Sequence, residues 1–97
     1  MSDALDSALE KLREKVGDTK VDGSVKFDFT DIGALRLDEH GARKDDGTEA
    51  DCTISASTEV FKAVFDGEMS PTAAFMSGKL KIAGDMGVAM RMAGLLG

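Results

Sequence analysis

The chain has 97 residues, 42% of them hydrophobic and 31% charged, and a net charge of −6. This length and apolar content predict one folded domain over residues 1–97 and exclude intrinsic disorder. The charge is uneven: residues 1–68 carry nine bases and seventeen acids and sum to −8, whereas residues 69–97 sum to +2. Because an acidic body repels phosphate, we do not expect a nucleic-acid-binding role.

The sequence carries no sign of export or of membrane insertion. The first residues, Met-Ser-Asp-Ala-Leu-Asp, lack an apolar signal core. No apolar run approaches the roughly 20 residues that a membrane-spanning helix needs. The single cysteine, Cys52, excludes an intramolecular disulfide framework and fits a reducing compartment. We therefore expect a cytoplasmic protein.

The first predicted element is an amphipathic helix near the N-terminus. Its apolar residues recur at spacings of four, three and four, which places them on one stripe: Leu5, Leu9, Leu12 and Val16. Ser2 is the predicted N-cap, and Gly17 supplies a C-terminal stop. Because its polar face is not predominantly basic, we expect a covering helix and not one that lies on a membrane.

Strands are predicted next. Four stretches alternate apolar and polar residues: 25–30, 35–38, 52–57 and 79–82. Each would have one buried and one solvated face, which is typical of a largely antiparallel sheet. Residues 42–44 are a weaker candidate for a short edge strand, and Gly84 is expected to break the last strand.

Two helices are predicted between the third and fourth strands. Ser57 or Thr58 can cap the first of them, whose broad apolar face comprises Val60, Phe61, Val64 and Phe65. Ser70 and Pro71 begin the second, as N-cap and first helical residue. These elements together predict an α+β domain of two layers, a sheet with helices over its apolar face.

A last helix is predicted over residues 86–96, with Asp85 as its N-cap. Arg91 is its only charged residue, so the helix is apolar almost all round. Such a helix must be covered by its own core, by a partner or by a bound lipid. Its methionines favour a simple core-filling role on composition alone, although methionine also lines surfaces that fit varied partners.

Candidate catalytic and metal-binding groups are scarce. His40, the only histidine, falls in a predicted surface turn, and Cys52 falls on the buried face of a strand. The acidic run 45–51 misses the EF-hand register, because its glycine comes too early, and is predicted as a solvated turn. We predict no catalytic residue, no metal site and no cofactor.

Three segments resemble the sterol-carrier-protein type two domain family. They are Ala-Asp-Cys-Thr-Ile-Ser at 50–55, Gly-Glu-Met-Ser-Pro at 67–71, and residues 74–90. The last contains Gly-Lys-Leu-Lys-Ile followed by Gly-x-Met-Gly-x-Ala-Met. The resemblance is ungapped over roughly residues 50–92. It implies a mixed sheet of about five strands, with helices on one face and an apolar tunnel between the layers.

The resemblance also implies a ligand and its contacts. Family members bind fatty acids, fatty acyl-CoA, phospholipids or sterols without covalent chemistry. The implied lipid-binding residues are Phe27, Phe29, Leu35, Ile54, Phe61, Phe65, Phe75, Met76, Leu80, Ile82, Met86 and Met90. Lys79 and Lys81 match the family motif but lie on the predicted wet face, so they receive no ligand role.

The expected function is therefore non-enzymatic lipid binding and transfer, with transient contact to a membrane surface. The alternative is a protein-interaction module, accessory to an enzyme of lipid metabolism, that uses the apolar C-terminal helix. The expected state is a monomer or a weak homodimer through that helix. An enzyme is disfavoured because no acid–base pair or nucleophile can be assembled.

Overall fold

The computed structural model describes residues 3–17 and 23–96, so the predicted N-cap Ser2 lies outside the described residues. In chain order the elements are α1 (Asp3–Val16), β1 (Val25–Phe29), β2 (Gly33–Asp38), β3 (Gly41–Lys44), β4 (Cys52–Ala56), α2 (Thr58–Phe65), α3 (Pro71–Met76), β5 (Lys81–Gly84) and α4 (Met86–Leu96). None of the described helices is long and apolar enough to cross a membrane.

The strands form one five-stranded sheet in the order β3-β2-β1-β4-β5. β1 and β4 are parallel neighbours, whereas β1–β2, β2–β3 and β4–β5 are antiparallel. The predicted α+β class with a mixed, largely antiparallel sheet is confirmed. The edge strand predicted at 42–44 is also present, as β3.

The core lies between the helices and one face of the sheet. Alternation along β1, β2 and β4 turns the apolar side chains towards the helices, where they are buried: Val25, Phe27, Phe29, Leu35, Leu37, Cys52, Ile54 and Ala56. The apolar stripe of α1 is buried against them, as predicted. The rings of Phe29 and Phe61 lie 4.3 Å apart and join the sheet to α2.

The other face of the sheet differs from the prediction of a solvated surface. Arg36 and Asp38 on β2 are only 4% and 8% exposed. The segment after β3 folds back over them, and Arg36 donates hydrogen bonds to the carbonyl oxygens of Thr48 at 2.7 Å and Glu49 at 2.6 Å. Most of the acidic run 45–51 is exposed, as predicted, whereas Asp45 is half-buried and its carboxylate accepts from Arg36 at 3.4 Å.

The buried carboxylate of Asp38 is ionised and pairs with Arg36 and Arg43. Burial opposes its ionised form. Hydrogen bonds from Arg43 at 2.7 Å, from the His40 backbone N–H at 2.9 Å and from Arg36 at 3.3 Å outweigh burial and hold the pKa of Asp38 below its usual value. The ion pairs of Asp38 therefore persist at neutral pH.

The last strand begins later than predicted. We expected a strand over residues 79–82, whereas β5 covers Lys81–Gly84. The cause is the end of α3, where the backbone N–H groups of Lys79 and Leu80 both donate to the Ala74 carbonyl, at 2.9 and 3.2 Å. These hydrogen bonds complete the turn after the helix, so pairing with β4 starts only after it.

The strand stops at Gly84, as we expected, although Gly84 itself still belongs to β5. It pairs with Cys52 at a φ of +98°, where side chains are disfavoured. A Cβ at this position would lie 2.5 Å from the backbone oxygen of Asp51 and 2.9 Å from the Cα of Cys52. A glycine is therefore required to bring β5 this close to β4.

Candidate functional site

An apolar cleft of about 230 Å³ lies between the β4–β5 end of the sheet and the helices α2, α3 and α4. Its lining residues come from one continuous part of the chain: Ile54, Phe61, Val64, Pro71, Thr72, Phe75, Met76, Leu80, Ile82, Ala89 and Met90. Thr72 is the only lining residue with a polar side chain. The cleft is suited to hydrocarbon and offers almost no directional contact.

The floor of the cleft is fixed by strand register and by helix capping. Ile54 and Ile82 are paired residues of β4 and β5, so both side chains lie on the same face of the sheet. The Ser57 hydroxyl caps α2 by accepting from the Val60 N–H at 3.3 Å. This start of α2 directs Phe61 inward, where it is fully buried.

The wall formed by α4 begins at Asp85, as predicted. The Asp85 carboxylate accepts from the N–H groups of Gly87 at 2.8 Å and Val88 at 3.2 Å, which is an N-cap. Its backbone N–H donates to the Asp51 carbonyl at 2.8 Å and ties the helix start to β4. One face of α4 packs on the protein's own core, since Val88, Ala89 and Met92 are buried.

The rim of the cleft exposes large apolar side chains. Met76 on α3 is 81% exposed, Met90 on α4 is 58% exposed, and Phe75 is also exposed. Met86, one turn before Met90, is 44% exposed. The face of α4 that carries these methionines is therefore not covered by the described part of the chain.

Most of the predicted lipid-binding residues meet in this cleft: Ile54, Phe61, Phe75, Met76, Leu80, Ile82 and Met90. Phe27 and Leu35 lie in the fully buried core instead. Phe29 and Phe65 line a separate groove of about 360 Å³ between α1 and α2. Met86 is exposed outside the cleft lining. The described residues form an open cleft and do not show the enclosed tunnel that the resemblance implied.

Four lining residues were not among the predicted ones: Val64, Pro71, Thr72 and Ala89. Val64 belongs to the apolar face predicted for α2, and Ala89 belongs to the family motif at 84–90. Both could therefore have been predicted from the sequence as cleft residues. The sequence marks Pro71 only as the start of a helix. Nothing in the sequence marks Thr72 as a cleft residue.

The groups that could support covalent chemistry are placed as predicted. His40 lies exposed in the turn between β2 and β3. Cys52 is buried in β4, and burial, together with the charges of Asp85 and Asp51, raises its pKa to about 11. Among residues 3–17 and 23–96, no group of three acidic, histidine or cysteine side chains could hold a metal ion.

We expect Cys52 to resist alkylation in the folded protein. Only the thiolate is nucleophilic, and a pKa of about 11 in place of 9.0 lowers its population roughly a hundredfold near neutral pH. Iodoacetamide labelling, followed by mass spectrometry at about pH 8, should be slow in buffer and fast in guanidinium. Equal labelling rates in the two solvents would contradict this burial.

A five-stranded sheet with helices over one face and an apolar cleft between the layers suits a lipid-binding domain. The chain matches the SCP-2 sterol transfer family over residues 2–97 and belongs to that family.

Among its relatives, hydroxysteroid dehydrogenase-like protein 2 of Xenopus laevis is 47% identical over 64 residues, which are 65% of this chain and 15% of that protein. Sterol carrier protein 2 of Rattus norvegicus is 47% identical over 51 residues, which are 53% of this chain and 9% of that protein. The chain thus spans a small part of these longer relatives.

Solved structures share the fold across almost the whole chain. Sterol carrier protein 2 like 2 of Aedes aegypti is 18% identical, with a TM-score of 0.76 over 93% of this chain and 94% of that one. Sterol carrier protein 2 of Aedes aegypti, solved as a complex with the C16 fatty acid palmitate, is 16% identical, with a TM-score of 0.77 over 99% of this chain and 96% of that one. At these identities the likeness establishes the fold.

Proposed function

We propose that the protein binds the apolar part of a lipid in the cleft and transfers it without covalent chemistry. The ligand classes are fatty acids, fatty acyl-CoA, phospholipids and sterols. The observation that carries this proposal is the composition of the lining, in which Thr72 is the single polar side chain. Family membership and the palmitate complex of the Aedes aegypti relative support it.

The energetics follow from this lining. Hydrocarbon gains about 25 cal/mol per Å² of apolar area removed from water, so affinity grows with the length of chain that the cleft covers. Few directional contacts mean that ligands are distinguished by length and shape. The cleft volume of about 230 Å³ is below the roughly 300–1,000 Å³ of most ligand sites. We propose that the flexible rim side chains of Met76 and Met90 move aside for a long chain.

We expect micromolar affinity for long fatty acids, on the order of −8 kcal/mol, and a preference for long chains over short ones. Titration of the lipid-free protein with a fluorescent sixteen-carbon fatty acid measures the affinity. Competition by unlabelled eight-carbon and sixteen-carbon acids measures the preference. The absence of a saturable signal, or equal competition by the two acids, would count against the proposal.

A second candidate function is assembly with another protein chain through α4. The observation that favours it is the exposure of Met86 and Met90 on one face of that helix. Native mass spectrometry before and after delipidation separates the two candidates. A co-purifying lipid supports the carrier function, whereas a lipid-free dimer that persists on dilution supports the assembly function.

A further inference from the structure

The methionines of the described residues differ widely in their exposure to solvent. Met76 on α3 is 81% exposed, and Met90 and Met86 on α4 are 58% and 44% exposed. Met92 is only 2% exposed, and Met69 is half-buried and packs against the core. An oxidant must reach the thioether sulfur, so exposure decides which methionines can be oxidised. The first three are therefore open to an oxidant in solvent, whereas Met92 on the same helix is protected.

Two of the exposed methionines also belong to the lipid site. Met76 and Met90 line the cleft, whereas Met86 does not. The other lining side chains contain no sulfur. The single cysteine of the chain, Cys52, is buried in β4, and burial raises its pKa to about 11, so it competes poorly for an oxidant. An oxidant in solvent therefore meets methionine sulfur at the cleft itself.

We propose that Met76 and Met90 are oxidation sites at which hydrogen peroxide switches the cleft from tight to weak lipid binding. In each step the thioether sulfur attacks one peroxide oxygen, an S–O bond forms and the O–O bond breaks. The proton of the transferred oxygen passes to the departing one, so sulfur loses two electrons and becomes a sulfoxide while the peroxide is reduced to water. The inference rests on the proposed function, because only a cleft that holds lipid can release it.

The lining cannot hydrogen-bond two sulfoxides once hydrocarbon fills the cleft. Oxidation makes the methionine side chain polar, and covering a polar group without a hydrogen-bond partner is unfavourable. Thr72, one turn before Met76 on α3, is the only lining side chain with a donor, and its one hydroxyl proton serves at most one sulfoxide. In the empty cleft, water can serve both exposed side chains. Oxidation therefore favours the empty cleft over the occupied one.

Stepwise oxidation of the lipid-free protein by hydrogen peroxide, mapped site by site by peptide mass spectrometry, tests the proposal. We expect sulfoxide at Met76 and Met90 well before sulfoxide at Met92. Fatty-acid affinity should fall at least tenfold, about 1.4 kcal/mol, as the first two sulfoxides accumulate, while thermal melts show that the protein stays folded. Unchanged affinity after oxidation at both sites, resistance of both sites to peroxide, or loss of binding through unfolding would each overturn the proposal.

Leucine variants separate the cleft methionines from the exposed one outside it. Leucine is close to methionine in size and is apolar, but it has no sulfur. Because leucine also reshapes the lining, each variant is compared with itself before and after peroxide. The double variant Met76→Leu/Met90→Leu should keep its own affinity after peroxide, whereas Met86→Leu should lose affinity as the unsubstituted protein does. A loss that persists in the double variant would assign the effect to another residue and refute the proposal.

Bound fatty acid and enzymatic repair give two independent readouts. A saturating sixteen-carbon fatty acid should slow the oxidation of Met76 and Met90, whose side chains it covers, and leave that of Met86 unchanged. Methionine sulfoxide reductase with a thiol reductant should restore the affinity, because it returns the sulfoxides to thioethers. Equal protection of Met86, or no recovery of affinity after repair, would contradict the proposal.

The same measurements distinguish this inference from the carrier function on which it rests. If the untreated protein binds no fatty acid, the carrier function is refuted and the oxidation switch with it. If the untreated protein binds fatty acid and peroxide leaves that affinity unchanged, only the switch is refuted.

Discussion

Replacing Arg36 with methionine is expected to lower the free energy of unfolding by about 3–5 kcal/mol. The guanidinium is buried beside Asp38 and Asp45 and is the hydrogen-bond donor to the Thr48 and Glu49 carbonyls. Its loss leaves these acceptor oxygens with fewer hydrogen-bond donors. It also removes the hydrogen bonds that hold the segment after β3 against the sheet. Against a total stability of about 5–15 kcal/mol this is a large fraction. Guanidinium unfolding followed by circular dichroism measures it.

Arg43→Met is the matched control for Arg36→Met. Arg43 also pairs with Asp38, at 2.7 Å, but its side chain is 36% exposed, so its loss should cost about 1 kcal/mol or less. Similar losses of unfolding free energy in the two variants would show that the burial of Arg36 does not determine how much it stabilises the fold. Both variants should bind fatty acid while folded, because neither position lines the cleft.

Met90→Asp is expected to weaken fatty-acid binding at least tenfold, about 1.4 kcal/mol, while the protein stays folded. The fold should survive because Met90 is 58% exposed and a carboxylate there remains in contact with water. Binding should fall because a hydrocarbon chain in the cleft would strip water from that carboxylate and leave it without a partner. Thermal melts and fatty-acid titration on the same variant measure the two effects.

Met86→Asp provides the control for Met90→Asp. It puts the same charge on the same face of α4, one turn earlier and outside the cleft lining. We expect it to weaken fatty-acid binding less than Met90→Asp does. If Met90→Asp unfolds the domain, Met90 is packed core. If the Met90→Asp variant is folded and binds fatty acid normally, Met90 belongs to a face of α4 that contacts solvent or a partner.

The secondary structure was predictable because local signals agree with the fold. The leucine stripe of α1, the alternation in β1, β2 and β4, and the caps Ser57, Ser70 and Asp85 each depend on neighbours within a few residues. The burial of Arg36 was not predictable in this way. Alternation places Arg36 on the face opposite the core, and only the path of the later segment through Thr48 and Glu49 covers that face.

The residues of the candidate site, too, could be predicted only in part from local sequence patterns. Alternation marks Phe27, Leu35 and Ile54 alike as inward-facing, yet only Ile54 lines the cleft. The difference is position across the sheet, since Ile54 lies beside β5, whereas Phe27 and Leu35 pair with each other on β1 and β2. The family motif identified the rim residues Met76 and Met90, but their exposure depends on how α3 and α4 meet.

The continuity of the cleft lining along the chain has a consequence for folding. β1, β2 and β3 are joined by short turns and pair locally, whereas the central β1–β4 pairing, which begins with Val25 and Cys52, closes a long loop. Local pairs form fastest, and loop closure over many residues is slow. Every lining residue lies from Ile54 onwards. We therefore expect the meander of the first strands to form first and the cleft to form only after β4 has paired with β1.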